Sequence, residues 1–222
     1  MLPTLKQRYS GGEQIAAAPG LFLFEDFLTA ADCDHLIDLA SPHQSRSLVS
    51  GSDAGVESEG RTGGVHWIAH DSTDITLALS RRLADLIGIP LTHAESIQVI
   101  SYGSGQEYRP HYDAWEAGTE TGDRCLARGG QRLVTCLCYL NDVEQGGGTF
   151  FPHLDIEVRP RRGRMVVFHN CFDGDTRRHP DALHGGMPPE SGEKWACNIW
   201  FREKALRQVT TPQRPSATTR RF

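Results

Sequence analysis

The spacing of hydrophobic positions changes near residue 95 of this chain. Residues 1–20 hold no steady period and read as a loose N-terminal arm. Leu21-Phe22-Leu23-Phe24 is a short apolar strand. Thr29 followed by Asp32 has the spacing of a capping box, with Asp in place of the usual Glu. It opens a helix whose buried side is Leu36, Ile37, Leu39 and Ala40. Ser50 to Gly63 is polar and glycine-rich, as a surface loop is. A second amphipathic helix is predicted over Asp71 to Gly88, with Ile75, Leu79, Leu83 and Leu86 inward and Gly88 and Pro90 ending it.

Beyond residue 95 the helical period gives way to short apolar runs punctuated by turns. Ile97 to Tyr102, Leu133 to Leu140, Thr149 to Phe151, Ile156 to Val158, Met165 to Phe168 and Trp195 to Phe201 read as strands. Two helices followed by this series predict a mainly β fold, an antiparallel barrel or jelly roll with an N-terminal helical buttress. The domain is expected over residues 21–204. Residues 205–222 carry four arginines, two prolines and no acid, and are expected to be a disordered basic tail.

Composition narrows the function classes. The 222 residues include 23 glycines and 12 prolines, which suits many short strands, and a net charge of −5 argues against a general nucleic-acid binder. The local cluster Arg159 to Arg164 reads as a charged hairpin turn. No apolar run approaches the roughly 18 residues that span a bilayer. The six cysteines form no C-x-x-C pair, and Cys136 and Cys138 share one face of a strand. They are expected as free thiols in a reducing compartment, so the chain reads as soluble and cytoplasmic.

Among ten histidines, three begin a His-x-Asp: His111/Asp113, His153/Asp155 and His179/Asp181. A His and a carboxylate two apart on a strand face the same way, and a distant second His would complete a facial triad with open metal positions. His179-Pro180-Asp181 lies in a loop pattern, and proline fits a sheet interior badly. His153 follows Phe151-Pro152 at a strand end, and only His169, His179 and His184 lie after it. His111 leaves several strands before His184, enough for a barrel to fold back, which favours His111, Asp113 and His184.

The segment Tyr102-Gly103-Ser104-Gly105-Gln106-Glu107-Tyr108-Arg109-Pro110-His111-Tyr112-Asp113 resembles the signature of iron- and 2-oxoglutarate-dependent oxygenases of the prolyl 4-hydroxylase family. The resemblance continues through Arg61-Thr62, Tyr139-Leu140-Asn141-Asp142, Gly146 to Pro152, Leu183-His184-Gly185-Gly186 and Gly192-Glu193-Lys194-Trp195. It implies a double-stranded β-helix and selects His184 rather than His169 as the distal iron ligand. It also implies Fe(II), 2-oxoglutarate and O₂ as reactants, with ascorbate as reductant. Lys194, one of only three lysines, matches the family's cation for the distal carboxylate of 2-oxoglutarate, with Tyr102 and Thr149 as its hydrogen-bond donors. Trp200, Arg132, Arg202 and Arg61 resemble positions around the substrate.

Two departures bear on the substrate: Gly148 stands where many relatives carry Glu, and Asn198 where many carry Thr. The polar stretch 114–131 could also shape an unusual entrance. The expected substrate is a prolyl residue in a peptide or protein. The rival substrate is a free amino acid or small metabolite, whose α-carboxylate Arg132 or Arg202 would have to bind. A jelly-roll binding module is the non-enzymatic alternative. A zinc hydrolase is weaker, since no Glu is placed as its base.

Overall fold

The computed structural model describes residues 2–49, 56–57 and 59–206. In chain order, β1 (Glu13–Ala16) and β2 (Leu21–Phe24) precede helix α1 (Ala30–Ala40). Then come β3 (Ser45–Arg46), β4 (Leu48–Val49), β5 (Val56–Glu57) and β6 (Gly64–Ile68), followed by α2 (Asp74–Ile87). After them follow β7 (Ile97–Gly103), β8 (Tyr108–His111), α3 (Glu120–Leu126) and β9 (Arg132–Tyr139). The last strands are β10 (Thr149–Phe151), β11 (Ile156–Val158), β12 (Met165–His169), β13 (His184–Gly186) and β14 (Glu193–Arg202).

A large antiparallel sheet has the order β1-β2-β12-β9-β14-β7-β6-β3, and a small one β11-β10-β13-β8. The arrangement is a jelly roll, with α1 and α2 buttressing the large sheet. Alternation along its central strands assigns each residue to one of two cores. Val99, Cys136, Cys138, Cys197, Ile199 and Phe201 pack with Cys33 and Leu36 of α1 and Leu79 and Leu83 of α2. The opposite face, Ile100, Tyr102, Leu137, Tyr139, Phe168 and Ala196, packs with Phe151 and Val158 of the small sheet. Cys33, Cys136, Cys138 and Cys197 therefore lie on the helix side, and all six cysteines are unpaired.

Thr29 caps α1 through a complete capping box with Asp32, as expected; Cys33, Leu36 and Ala40 are buried, while Ile37 and Leu39 are only half-buried. Helix α2 starts later than predicted, because Thr73 and Thr76 form a second reciprocal cap. This turns the buried stripe to Thr76, Leu79, Ser80, Leu83, Ala84 and Ile87, and leaves Ile75 38% exposed. Gly88 ends the helix with φ +80°, a conformation that costs glycine no Cβ clash.

The N-terminal arm is not loose. Leu5 and Tyr9 are buried, Lys6 Nζ donates to the Leu86 carbonyl at 2.6 Å, and β1 extends the large sheet by pairing with β2. Scattered anchors of this kind have no period for a sequence pattern to register. The expected surface loop 50–63 falls partly outside the described residues; Val56–Glu57 within it pair with Leu48–Val49 just before it, and Arg61 bridges to Tyr108. Apart from its first two residues, the expected C-terminal tail lies outside the described residues. In the Arg159–Arg164 turn, Arg161 and Arg164 pair with Glu25, and Arg162 pairs with Asp34. Among the described residues, no helix is long and apolar enough to cross a membrane.

Candidate active site

Between the two sheets, His111, Asp113 and His184 bring one ligand atom each to within 4.8 Å of one another. Among the described residues this is the only such group of three or more. His111 ends β8 and His184 opens β13, and the two are register partners in the antiparallel pair. Pro110 is tolerated because β8 is the edge strand of the small sheet. Asp113 was expected on the same strand as His111 but lies two residues beyond its end, in a loop.

Hydrogen bonding fixes the tautomers. His111 Nδ1 lies 2.9 Å from the Arg109 carbonyl and His184 Nδ1 2.9 Å from the Ala182 carbonyl. A carbonyl only accepts, so each Nδ1 carries the proton and each Nε2 presents a lone pair. Those Nε2 atoms face Asp113, at 3.8 Å from Oδ1 for His111 and 3.6 Å from Oδ2 for His184. Burial, then the neighbouring His184, lowers the His111 pKa to about 3. Burial alone would push the Asp113 carboxyl up, but His184, His111 and Arg132 outweigh it and hold it at about 2. A neutral His111 and an ionised Asp113 are the protonation states that metal ligation requires of them. Tyr108 stacks on His111 with centroids 3.5 Å apart, and Phe168 packs edge-on against His184 at 4.6 Å. Both rings are thereby held in orientation.

Lys194 lines the same cavity from β14. It is the register partner of Tyr102 on β7, and only 2% of it is exposed. Its ammonium sits 5.8 Å from the Tyr102 ring centre and 5.5 Å from that of Tyr139, with no hydrogen bond or ion pair to any described residue. Burial accordingly lowers its pKa to about 7. A buried cation without a counter-charge calls for an anion. Space for one exists at Gly186, where an added Cβ would stand 3.9 Å from Lys194 Nζ. Thr149 also faces the cavity, its Oγ1 2.8 Å from Tyr139 Oη, which donates to the Val158 carbonyl at 3.0 Å. A dicarboxylate reaching from the His/Asp cluster to Lys194 fits this donor set.

The three nominated arginines have different neighbours. Arg132 lies in the cavity wall, with Nε and Nη2 on Glu95 at 2.6 and 2.7 Å and its guanidinium 3.8 Å from the Trp200 ring centre. Arg202 does not line the cavity. It is 4% exposed and bound to Glu95 and to the carbonyls of Cys125, Arg128 and Gly130, which makes it a brace for the segment around α3. Arg61 is a buried cavity residue that donates to Gln98 Oε1 at 2.9 Å and to the Leu48 carbonyl at 3.2 Å. Thr62 is absent from the cavity wall and holds Glu107 instead. Trp200 lines the cavity, its indole facing Asp113 without the geometry of a full hydrogen bond.

Asn198, singled out in the sequence as a departure, lines the cavity, as do Gln98, Ile100, Leu137 and Tyr108, to which the sequence assigns no role. Strand alternation could have found them: Gln98, Ile100 and Tyr102 share a face of β7, and Lys194, Asn198 and Trp200 a face of β14. The space beside Gly148 is filled by the Glu157 carboxylate from the neighbouring strand. The 114–131 stretch contains α3, and its Trp115 is sandwiched against Arg132 and Arg202.

Residues 97–202 match the model of the 2OG-Fe(II) oxygenase superfamily. An Arabidopsis thaliana protein named "Probable prolyl 4-hydroxylase 3" is 34% identical over 210 residues, covering 85% of this chain and 71% of the relative. Prolyl 4-hydroxylase 2 of the same plant is 31% identical, covering 90% of this chain and 72% of the relative. Among solved structures, a viral collagen prolyl hydroxylase from Paramecium Bursaria Chlorella virus-1, in complex with 2-oxoglutarate, superposes with a TM-score of 0.64. It is 27% identical, with 82% of this chain and 95% of that one covered.

Proposed function

The chain belongs to the prolyl 4-hydroxylase family of Fe(II)- and 2-oxoglutarate-dependent oxygenases, and we propose that it hydroxylates prolyl residues within a peptide. The observation that carries this reading is the pairing, in one cavity, of the His111/Asp113/His184 cluster with the unpartnered cation of Lys194. In this reading His111, Asp113 and His184 hold Fe(II), leaving positions open for 2-oxoglutarate and O₂. Lys194 takes the distal carboxylate of 2-oxoglutarate, with Tyr102 and Thr149 beside it. The bound iron and co-substrate supply the oxidation that turns a C–H into a C–OH while 2-oxoglutarate becomes succinate and CO₂.

This chain's own residues prepare that chemistry. The carbonyls of Arg109 and Ala182 hold the Nδ1 side of each ring, which leaves Nε2 as the atom each presents to a metal. Phe168, Ile100 and Leu137 line the cavity with apolar surface that limits water at the reacting centre. Trp200 and Arg132, stacked on each other, form one wall against which a substrate ring can be oriented.

A peptide is favoured over a free amino acid by the state of the arginines. Both residues that could take an α-carboxylate, Arg132 and Arg202, are already bonded to Glu95. Two of the large apolar residues left exposed, Leu48 at 43% and Trp67 at 46%, border the cavity, where they can meet an extended chain. A proline-rich segment is already close to its extended shape and loses little entropy on docking. Six unpaired thiols support a reducing, cytoplasmic setting. Ascorbate belongs to this reading as the reductant that restores Fe(II).

The test is succinate formation from 2-oxoglutarate, with Fe(II) and ascorbate, measured with and without a proline-rich peptide. Succinate stimulated by the peptide is expected. No succinate under any condition would leave the chain a binding module.

A further inference from the structure

Asp113 is the one member of the cluster that no strand holds, yet it is 7% exposed and its carboxylate has a defined partner. Thr135 Oγ1, on β9 of the large sheet, lies 2.7 Å from Asp113 Oδ2. Asn170 Nδ2 in turn lies 2.8 Å from Thr135 Oγ1. Thr135 is 1% exposed and Asn170 is fully buried, so water does not compete for either contact.

We infer that Thr135 and Asn170 are positioning residues that lock the Asp113 carboxylate in its metal-binding orientation before any metal arrives. The inference rests on the family reading of Asp113 as an iron ligand. A ligating carboxylate is ionised and can only accept, so the single Thr135 proton must point at Oδ2. The atom of Asn170 facing Thr135 must then be a donor, which fixes the amide with Nδ2 toward the hydroxyl. The Asn170 backbone is anchored on both sides: its N–H donates to the Leu133 carbonyl at 2.9 Å, and its carbonyl accepts from the His179 N–H at 2.9 Å. Its buried Oδ1 has no partner among the described residues, so the amide is held by its bond to Thr135. The relay thus runs from rigid backbone beside β12 through a β9 side chain to the loop after β8. It occupies one lone pair of Oδ2 and fixes the plane in which the others face the two Nε2 atoms. Partners of this outer kind orient first ligands, and their loss typically weakens metal affinity about 10–100-fold.

The experiment is calorimetric titration of the metal-free protein with Mn(II), a probe that does not oxidise, at matched folding as judged by thermal melting. Thr135→Val keeps the side-chain volume and removes the hydroxyl, and is expected to weaken Mn(II) about 10-fold or more. Thr135→Ser, which restores the hydroxyl, should return affinity to within about twofold of the parent. Asn170→Ala frees the hydroxyl to rotate and should weaken Mn(II) by a smaller factor. It also serves as the reporter should Thr135→Val fail to fold. Unchanged affinity in Thr135→Val and Asn170→Ala would overturn the relay while leaving the ligand assignment intact. A Thr135→Ser variant as weak as Thr135→Val would do so too. Equal Mn(II) binding by His184→Ala and the parent would instead overturn the ligand assignment, and the relay with it.

Discussion

His184 is the register partner of His111 across the antiparallel pair β13–β8, and their ring centroids stand 4.4 Å apart. The pairing brings together two residues far apart in the chain, with both Nε2 atoms turned toward Asp113 by their own backbone-bonded Nδ1 protons. Replacing His184 with Ala removes one ligand of three and should abolish 2-oxoglutarate-dependent succinate formation. His153 and His179 make a sharp comparison. His153 bonds the Pro180 carbonyl, and His179 accepts from the Asp181 N–H; neither joins the cluster. His153→Ala and His179→Ala should therefore keep a readily measured rate, and loss of turnover in both would count against the assignment.

Lys194→Ala removes the cation proposed to meet the distal carboxylate. A charge-assisted bond of this kind is worth about 2–3 kcal/mol, so 2-oxoglutarate binding should weaken roughly 30–150-fold. Equilibrium titration of the Mn(II)-loaded variant measures it, and unchanged affinity would remove Lys194 from the site.

The same lysine sets a pH dependence. Burial holds its pKa at about 7 in the free protein, so above that pH it is largely neutral. A bound carboxylate favours the ammonium and raises the pKa. Binding must then take up protons, and affinity should fall as pH rises above 7. Calorimetry at pH 8 in buffers of different ionisation enthalpy should show uptake approaching one proton per 2-oxoglutarate bound. Zero uptake there would mean that Lys194 stays charged without its ligand.

Glu95 anchors the cavity wall that Arg132 and Trp200 form. Burial alone would raise its pKa, but Arg132 and Arg202 outweigh burial and hold it below the usual carboxylate range. A lowered folded-state pKa contributes stability that is present above the unfolded value of about 4.3 and is lost as pH falls below it. Glu95→Ala leaves two buried guanidiniums without their shared carboxylate and should cost about 3 kcal/mol, read as a lower denaturation midpoint at pH 7. Glu95→Ala should also narrow the difference in stability between pH 7 and pH 3.

Much of this was legible in the sequence where a local rule governs. Thr29 and Asp32 announced the start of α1, and short apolar runs announced most of the central strands. His111, Asp113, His184 and Lys194 came from spacing joined to a family resemblance, and one cavity contains all four. Packing roles were not legible. Arg202 looked like a substrate residue, yet it binds three carbonyls of the segment around α3, contacts that only the folded chain creates. Thr135 and Asn170 lie in apolar stretches as ordinary small polar residues, and only the β9–β12 pairing brings them together. The N-terminal arm was misread because Leu5 and Tyr9 dock singly rather than with a period.

The central claim is that this cavity hydroxylates a prolyl residue in a peptide, and mass spectrometry tests it most directly. A proline-rich peptide and free proline would be incubated separately with the protein, Fe(II), 2-oxoglutarate, O₂ and ascorbate. The account predicts a gain of one oxygen mapped to a prolyl residue of the peptide, dependent on 2-oxoglutarate and lost in His184→Ala. Hydroxylation of free proline with none on the peptide would contradict it.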